Sequence, residues 1–463
     1  MGNPFAALNT SLTGLHTQQR ISEIAGKNVA NVNTEGYSRN RAELTEDTLV
    51  SNARVFSVRD DVGGGVAISD VTRVRDELAE SRNLVEQGHS SYLDEMNATY
   101  GRIEGVITEP SDNGLGAQLN DFWNTWDDVA NDPTNLGARS ALLSKGQMIA
   151  TQFNQTSVSI TDLTRQTAGT TLTYVNELNS TIKQIADLNN KIQGSLNSSG
   201  GALNDAMDQR DLLVERVSQL TGATRSVDQL GNVNLNINGI AILAGSIAIP
   251  LTAVASPTNA ITVTDPQGNA VAITEGQIGG MITATNSTYP GQIADLDAVA
   301  QKLWTDVNAL HAVGYGLGAS AATNGRNFFD PPASPPAVTA LNLKLSTQVA
   351  GNPNAVSAAN TPNSIDGAMA QQIAAMHNVT GGASALYQQM VARLGVNSST
   401  AQSDAKVQAG VVAQVNEERK GVSGVNVDEE MITISQAQQA YAANAKVISI
   451  INEMLDTLIN LGR

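Results

Sequence analysis

Four histidines, His16, His89, His311 and His377, are the first places to look for metal or acid–base chemistry. They are scattered along the chain, with no pair at the three- or four-residue spacing that puts two ligands on one helix face. Each reads as a surface or packing residue. Cysteine is absent, which removes thiolate metal sites, iron–sulfur clusters, disulfides and thiol nucleophiles together. Gly26-Lys27 lacks the upstream glycine of a phosphate loop and is followed by Asn28 in place of Ser or Thr. Gly314, Gly316 and Gly318 carry half of a dinucleotide-binding spacing but follow a helical pattern, not a strand. No Gly-x-Ser-x-Gly elbow occurs. The adjacent acids Asp60-Asp61, Asp127-Asp128 and Glu429-Glu430 would not face each other on a helix, so they read as solvated faces. No catalytic, cofactor or metal site is expected, and nothing here makes an enzyme.

Composition narrows the classes further. The chain has 463 residues, enough for roughly two to four domains at about 100–200 residues each. Charged residues make up 15%, well under the roughly 25% of an ordinary soluble domain. They comprise 27 basic and 44 acidic side chains, a net charge of −17. Nucleic acid is bound largely through Lys and Arg on phosphates, and anionic membranes through polybasic patches, so neither partner is expected. The start of the chain has neither the basic nor the apolar region of a secretory leader. The apolar run Ile240 to Leu251 is too short to cross a bilayer, which takes about 20 residues. The expectation is a soluble chain, in the cytosol or exported without a signal. Aromatics are only 4%, so helices must pack mainly through Ala, Val, Leu and Ile.

The spacing predicts mostly helix. Phe5, Leu8, Leu12 and Leu15 form an apolar seam on a helix from about residue 4 to 30, with Asn3 as cap and Pro4 at its first position. Residues 31–65 lose the period, and Gly63-Gly64-Gly65 reads as a hinge or turn. From about 68 to 222 the pattern is helical. One long helix is marked by Val71 to Ile103, and a second by Leu119 to Val129, stopping near Asp132-Pro133. A third is marked by Leu142 to Leu163, a fourth by Val175 to Ile192, and a fifth by Leu203 to Val217. A turn is expected at 198–201. Val233, Leu235 and Ile237, then Ile261 and Val263, alternate as strands, with a turn at Asp265-Pro266-Gln267-Gly268. A helix from Pro290 to His311 precedes a loop-rich stretch with Pro331, Pro332, Pro335 and Pro336 and one strand at 341–345. Helices resume near 366.

The C-terminal segment is the clearest element. No Gly or Pro interrupts Val425 to Leu461, and Asp428, Glu429 and Glu430 fill the first turn, where the helix dipole favours acids. Gly462 sits at its end. Met431, Ile434, Tyr441, Ala445, Ile448, Leu455 and Ile459 make a seam, and Val447, Ile451, Met454, Leu458 and Leu461 widen it. A helix apolar over most of its girth needs partners on most sides. The two apolar ends either close one domain together or pack with each other and with neighbouring copies. The breadth of the C-terminal seam favours the second. Alone, such helices are marginal in water, so the ends are expected to order on assembly.

The run Ala25-Gly26-Lys27-Asn28-Val29-Ala30-Asn31-Val32-Asn33-Thr34-Glu35-Gly36-Tyr37-Ser38-Arg39 resembles the N-terminal signature of the bacterial flagellar rod, hook and hook-associated proteins. That family usually has Pro where Glu35 stands. Gly421 to Leu461, especially Gly424-Val425-Asn426-Val427-Asp428-Glu429-Glu430 and Gln438 to Ile448, resembles the C-terminal signature of the same family. Rod and hook subunits share these ends. The middle differs from theirs in staying helical to residue 222. Phe122-Trp123 to Asp132-Pro133 with Arg139, Asp208-Gln209-Arg210-Asp211, and Val307-Asn308 to His311 with Gly314 are similar to hook-associated members at the junction of hook and filament. A hook or rod subunit and a flagellum-associated wall hydrolase stay open as alternatives.

The resemblance implies a mainly α protein: terminal helices in a coiled-coil-like inner domain (1–62 with 420–463), a helical-bundle middle domain (63–222 with 286–419) and a small β-rich outer part (223–285). It implies a structural axial component that joins hook to filament and adapts one to the other. Partners would be further copies in a ring, the hook protein, the next hook-associated or filament protein, and an export chaperone. The location would be the flagellum outside the cell, reached by type III export. The expected assembly interface comprises Phe5, Leu8, Leu12, Leu15, Asn28, Asn31, Gly36 and Tyr37 at one end. At the other it comprises Met431, Ile434, Tyr441, Ile448, Ile451, Leu455 and Leu458.

Overall fold

The structure, a computed structural model, describes residues 4–46, 64–195, 201–319, 325–331 and 338–461. Asn3, Gly63, the turn residues 198–200, Pro332, Pro335, Pro336 and Gly462 lie outside the described residues. The chain is mainly helical and forms two compact units. One comprises residues 1–88, 177–251 and 409–463, the other 89–176 and 252–408.

In the first unit, helix α1 (Pro4–Ala30) leads into a hairpin of β1 (Asn40–Glu46) and β2 (Val66–Arg73). This corrects the reading of one helix from Val71 to Ile103. The alternating, β-branched Val66, Ile68 and Val71 belong to a strand, and α2 (Glu77–Val106) begins only after Asp76. The Asp76 carboxylate caps it by accepting the backbone N–H of Leu78 (2.8 Å) and Ala79 (3.2 Å), which satisfies donors the first helical turn leaves open. The hairpin lies on α1, where Thr17 Oγ1 donates to the Val66 carbonyl at 3.1 Å. Gly65, at φ +105°, fits there because a Cβ would fall 2.1 Å from Thr13 Oγ1.

The expected third and fourth helices are one, α4 (Leu136–Ser195), of 60 residues. No proline interrupts it, and single glycines within a helix cost only about 1 kcal/mol each. Helix α5 (Gly201–Thr221) follows and ends at Gly222, as its spacing predicts. Strands β3 (Thr224–Val227), β4 (Val233–Ile237), β5 (Ile240–Ala244) and β6 (Ile247–Ala248) form an antiparallel meander with Val233, Leu235 and Ile237 buried on one face. The remaining pair, β7 (Thr252–Ala255) and β8 (Ile261–Thr264), is a separate sheet belonging to the second unit.

The second unit has a core built on α3 (Leu115–Asn131). Phe122, Trp123, Trp126, Phe328 and Phe329 cluster there with ring centroids 5.0–6.3 Å apart. Helix α6 (Gly276–Thr283) passes through one π-turn (Ala284–Thr288) into α7 (Tyr289–His311). The stretch after α7 is loop-rich, and residues 341–345 make no strand. Two isolated bridges, Tyr315 to Ala359 and Phe329 to Leu345, are the strand-like pairing among the described residues of this stretch. Helix α8 (Ala368–Ala375) is short, whereas α9 (Ala383–Ser423) runs 41 residues. Alternate apolar and small polar residues on α9 blunt the sequence signal for that length. A three-residue connector, 424–426, then leads to α10 (Val427–Leu461), which lies in the first unit. Among the described residues, no helix is long and apolar enough to cross a membrane.

Candidate assembly site at the paired chain ends

Helices α1 and α10 pair with each other extensively. They run antiparallel. Gly14 lies against the Asn444 side chain, which a Cβ at residue 14 would approach to 2.9 Å. Near the other end Asn28 Nδ2 donates to Glu430 Oε2 at 3.1 Å. The α1 side of this seam includes small and polar residues, Ser11, Gly14, Ala25 and Asn28, along with the half-buried Ile21 and buried Ile24. The small residues let the two helices approach closely. On α10 the inward residues are Glu430, Ile434, Ala437, Ile448, Ile451 and Leu455.

The expected interface residues therefore fall into groups. Ile434, Ile448 and Leu455 are half-buried and Ile451 is buried, all on the seam within one chain. Ile448 thus has an intrachain neighbour and is not an unpaired position. Leu8 and Leu15 are half-buried. Leu12, Met431 and Tyr441 remain exposed, at 44%, 54% and 41%. Phe5 and Leu458 lie on the helices, but their side chains are outside the described residues. Asn28, Asn31, Gly36 and Tyr37 belong to the loop end of α1, where a polar network replaces apolar packing.

Asn28 is the centre of that network. Its amide accepts the Asn40 N–H at 3.0 Å and donates to the Asn40 carbonyl at 2.9 Å, as a strand partner would. It also accepts the Tyr37 hydroxyl at 2.8 Å. Burial pushes the Tyr37 hydroxyl pKa up, so it stays a donor. Asn31 bonds back to the Lys27 carbonyl at 2.9 Å and closes the end of α1. Gly36 takes φ +76° to turn the chain. Arg39 then bridges three segments. Its N–H donates to the Ser423 carbonyl (3.0 Å), its carbonyl accepts Val74 N–H (2.8 Å), and its guanidinium reaches Glu429 (2.7 Å).

Sequence reasoning missed the partners that hold this loop to the rest of the unit. Asp208 and Asp211, three apart on α5, face the same way. Asp208 accepts the Ser38 N–H at 3.2 Å and pairs with Arg73 at 2.9 Å. Asp211 is ringed by Arg73 (2.7 Å), Arg75, Arg225 (3.5 Å) and Arg210 (3.8 Å). Burial pushes the Asp211 carboxyl up, but the guanidiniums of Arg75, Arg73 and Arg210 outweigh it and hold it below the usual carboxylate range. The i, i+3 spacing of the two acids was the available signal. Their arginine partners, from β2, β3 and the segment before α2, were not legible. Beside this cluster lies a polar groove of about 760 Å³ lined by the 31–39 loop, Arg75, Glu215 and Arg419. Among the described residues, no group of three His or acidic side chains is placed to hold a metal. The arrangement can hold chain segments together.

The site is thus a pair of terminal helices, joined through a loop to the rest of its unit and showing apolar residues outward. The profile described as flagella basal body rod protein matches residues 8–37, and that of the flagellar basal body rod FlgEFG protein C-terminal region matches 422–461. Between them the flagellar hook-associated protein FlgK helical domain matches 100–329. The chain belongs to the flagellar hook-associated protein 1 family. It is 26% identical to that protein of Bacillus subtilis, over 99% of both chains. It is 24% identical to that of Escherichia coli, over 98% of this chain and 99% of the relative. In fold it is similar to the flagellar hook junction protein FlgK from Burkholderia pseudomallei, with a TM-score of 0.63 at 15% identity. That likeness covers 74% of this chain and all of the other.

Proposed function

We propose that this protein is a structural axial component of the bacterial flagellum, forming the junction between hook and filament and acting as the adaptor on which the filament assembles. The observation that carries this reading is the α1–α10 pair, which satisfies one side of each helix and leaves apolar residues of both exposed, in a chain akin over its whole length to hook-associated protein 1. An exposed apolar stripe of this kind marks a protein contact.

In this reading residues 1–62 and 420–463 form the assembly domain, 63–222 and 286–419 the helical middle, and 223–285 a small β-rich part. The contacts to further copies, to the hook protein and to the next hook-associated or filament protein run through the chain ends, with Leu8, Leu12, Leu15, Met431 and Tyr441 available to them. A type III export chaperone covers the C-terminal helix before secretion, and the protein then works outside the cell. Antibody labelling of purified flagella tests the reading. A narrow band between hook and filament is expected, and label along the whole hook would overturn it.

A further inference from the structure

The two-stranded sheet of the second unit has one finished edge and one open edge. Its pairs are Thr252 with Thr264, Ala253 with Val263, Val254 with Thr262 and Ala255 with Ile261. Just beyond them the Ser256 N–H donates to the Ala260 carbonyl at 2.8 Å. Antiparallel hydrogen bonds recur at every second residue, so Thr252 and Val254 bond across to β8. Ile261 and Val263 of β8, and Ala253 and Ala255 of β7, turn their N–H and C=O groups away from the ladder. On the β8 side these groups find partners. The Asn286 amide accepts the Ile261 N–H at 2.7 Å and donates to its carbonyl at 2.9 Å. The Val263 carbonyl accepts the Val271 N–H at 2.8 Å. On the β7 side, among the described residues, the N–H and C=O groups of Ala253 and Ala255 meet no partner.

The side chains suit a further strand. On the inner face Ile261 and Val263 are buried, whereas Ala255 and Ala253 opposite them are half-buried. The apolar layer thus thins towards the open edge. On the outer face Thr252 is exposed and Val254 is 58% exposed. No charged residue occurs from Gly245 to Thr264, in a chain of net charge −17. Sheet edges are ordinarily guarded by charged side chains or bulges, and β1 carries Arg41, Glu43 and Glu46. Strand β7 has no such charge, and its register with β8 runs without a shift. Pro250 and Pro257 bound the stretch, since proline cannot donate to a ladder.

We propose that β7 is a strand-addition site, at which an extended, uncharged segment of a different protein pairs with the main chain of Ala253 and Ala255. The occupant is a strand because the free groups are main-chain donors and acceptors two residues apart, which another extended backbone matches. It is uncharged because neither β7 nor β8 offers a counter-charge. Strand β8 shows which side chains fit, with Ile261 and Val263 set against the two alanines. A second copy of β7 would place alanine on alanine and leave the inner layer thin, whereas a segment with Ile or Val at those places fills it. So short an edge binds weakly alone. It serves a partner already held nearby by other contacts, whose local concentration is then high.

The β8 sequence supplies the test ligand, a capped synthetic peptide with the sequence of residues 260–264. Amide hydrogen exchange in the full-length chain is read residue by residue by NMR. In the free protein the Ala253 and Ala255 amides should exchange roughly tenfold faster than those of Thr252 and Val254. Excess peptide should slow the first two to the level of the second two, which stay unchanged. The same peptide N-methylated at its Ile and Val should have no effect. Ala255→Pro removes an outward N–H that β8 does not use, so the thermal midpoint should hold while the peptide no longer protects Ala253. Slow exchange of both alanines in dilute free protein would mean that the edge is covered within the chain. Slowing that follows protein concentration without peptide would give the edge to a second copy. Equal effects of the plain and N-methylated peptides, or none from either, would mean that no strand adds there. Each of these three results overturns the proposal.

Discussion

Asparagine does the work in this chain that bulk does elsewhere. Asn28, Asn179, Asn189, Asn286 and Asn308 each turn both ends of the side-chain amide onto a neighbouring backbone. Asn179 holds Leu251 through N–H and carbonyl at 2.8 Å each, and Asn286 holds Ile261 at 2.7 and 2.9 Å. Such an amide substitutes for a strand partner and leaves no buried backbone group unpaired. His311 plays the same part at the centre of the second unit. It is fully buried, with Nδ1 bonded to the Arg326 carbonyl (2.7 Å) and Nε2 accepting the Ser357 N–H (3.0 Å). Burial is the main reason its pKa falls to about 4. In the unfolded chain it titrates near 6.5. Between those values the unfolded state binds more protons, so stability is lost as pH falls from about 6.5 towards 4, by up to about 3 kcal/mol from this group. Denaturation followed by tryptophan fluorescence at several pH values checks it, since Trp123, Trp126 and Trp304 all belong to the second unit. His311→Gln should flatten the slope over that window. In the first unit, Asp211→Asn would leave Arg73, Arg75 and Arg210 without their shared counter-charge. It should cost about 3–5 kcal/mol, as removing one partner of a buried ion pair does. Circular dichroism during denaturation would report it.

Elements here are set by what interrupts them. Helix α4 continues for 60 residues because nothing stops it, and the π-turn between α6 and α7 brings Asn286 onto β8. The β1 edge is guarded by Arg41, Glu43 and Glu46 and by a bulge between Glu43 and Leu44, features that discourage strand addition. On α10, neighbouring residues do opposite things. Ile451 is buried against α1 and Ile450 is 44% exposed. Ile451→Asp would bury a carboxylate without a partner and should loosen the α1–α10 pair in the single chain. Hydrogen exchange over 427–461 should rise at least tenfold. Ile450→Asp should leave that exchange unchanged and instead block assembly. Equal exchange in the two variants would mean that the pair does not form in the single chain, and the expectation of ends ordered only on assembly would return.

At the scale of the whole molecule, both chain ends lie in one compact unit, although hundreds of residues separate them. Removing 431–463 would strip α1 of its partner and expose its seam. The shortened chain should be missing from isolated flagella, and it should no longer retain the export chaperone during purification. Unchanged chaperone retention would place that contact elsewhere on the chain.

The sequence by itself determined the helices with strong period, the strands at Val233 to Ile237 and Ile261 to Val263, the absence of cysteine chemistry and the two terminal signatures. These are local properties, set by spacing and residue type along a few turns. It did not determine that Val71 and Val74 leave the helix, because β-branched residues suit a strand as well as a helix face. Nor did it show that α1 meets α10 through Gly14 and Ala25 and not through Leu8, Leu12 and Leu15. An apolar period says that a face needs cover, but not which of two stripes receives it. Tertiary structure decided that, because Glu430 meets Asn28 and Arg39, and Asp211 meets Arg73 and Arg75, only when segments distant in sequence come together. With that polar fit in place, Leu12 is left exposed and Leu8 and Leu15 half-buried.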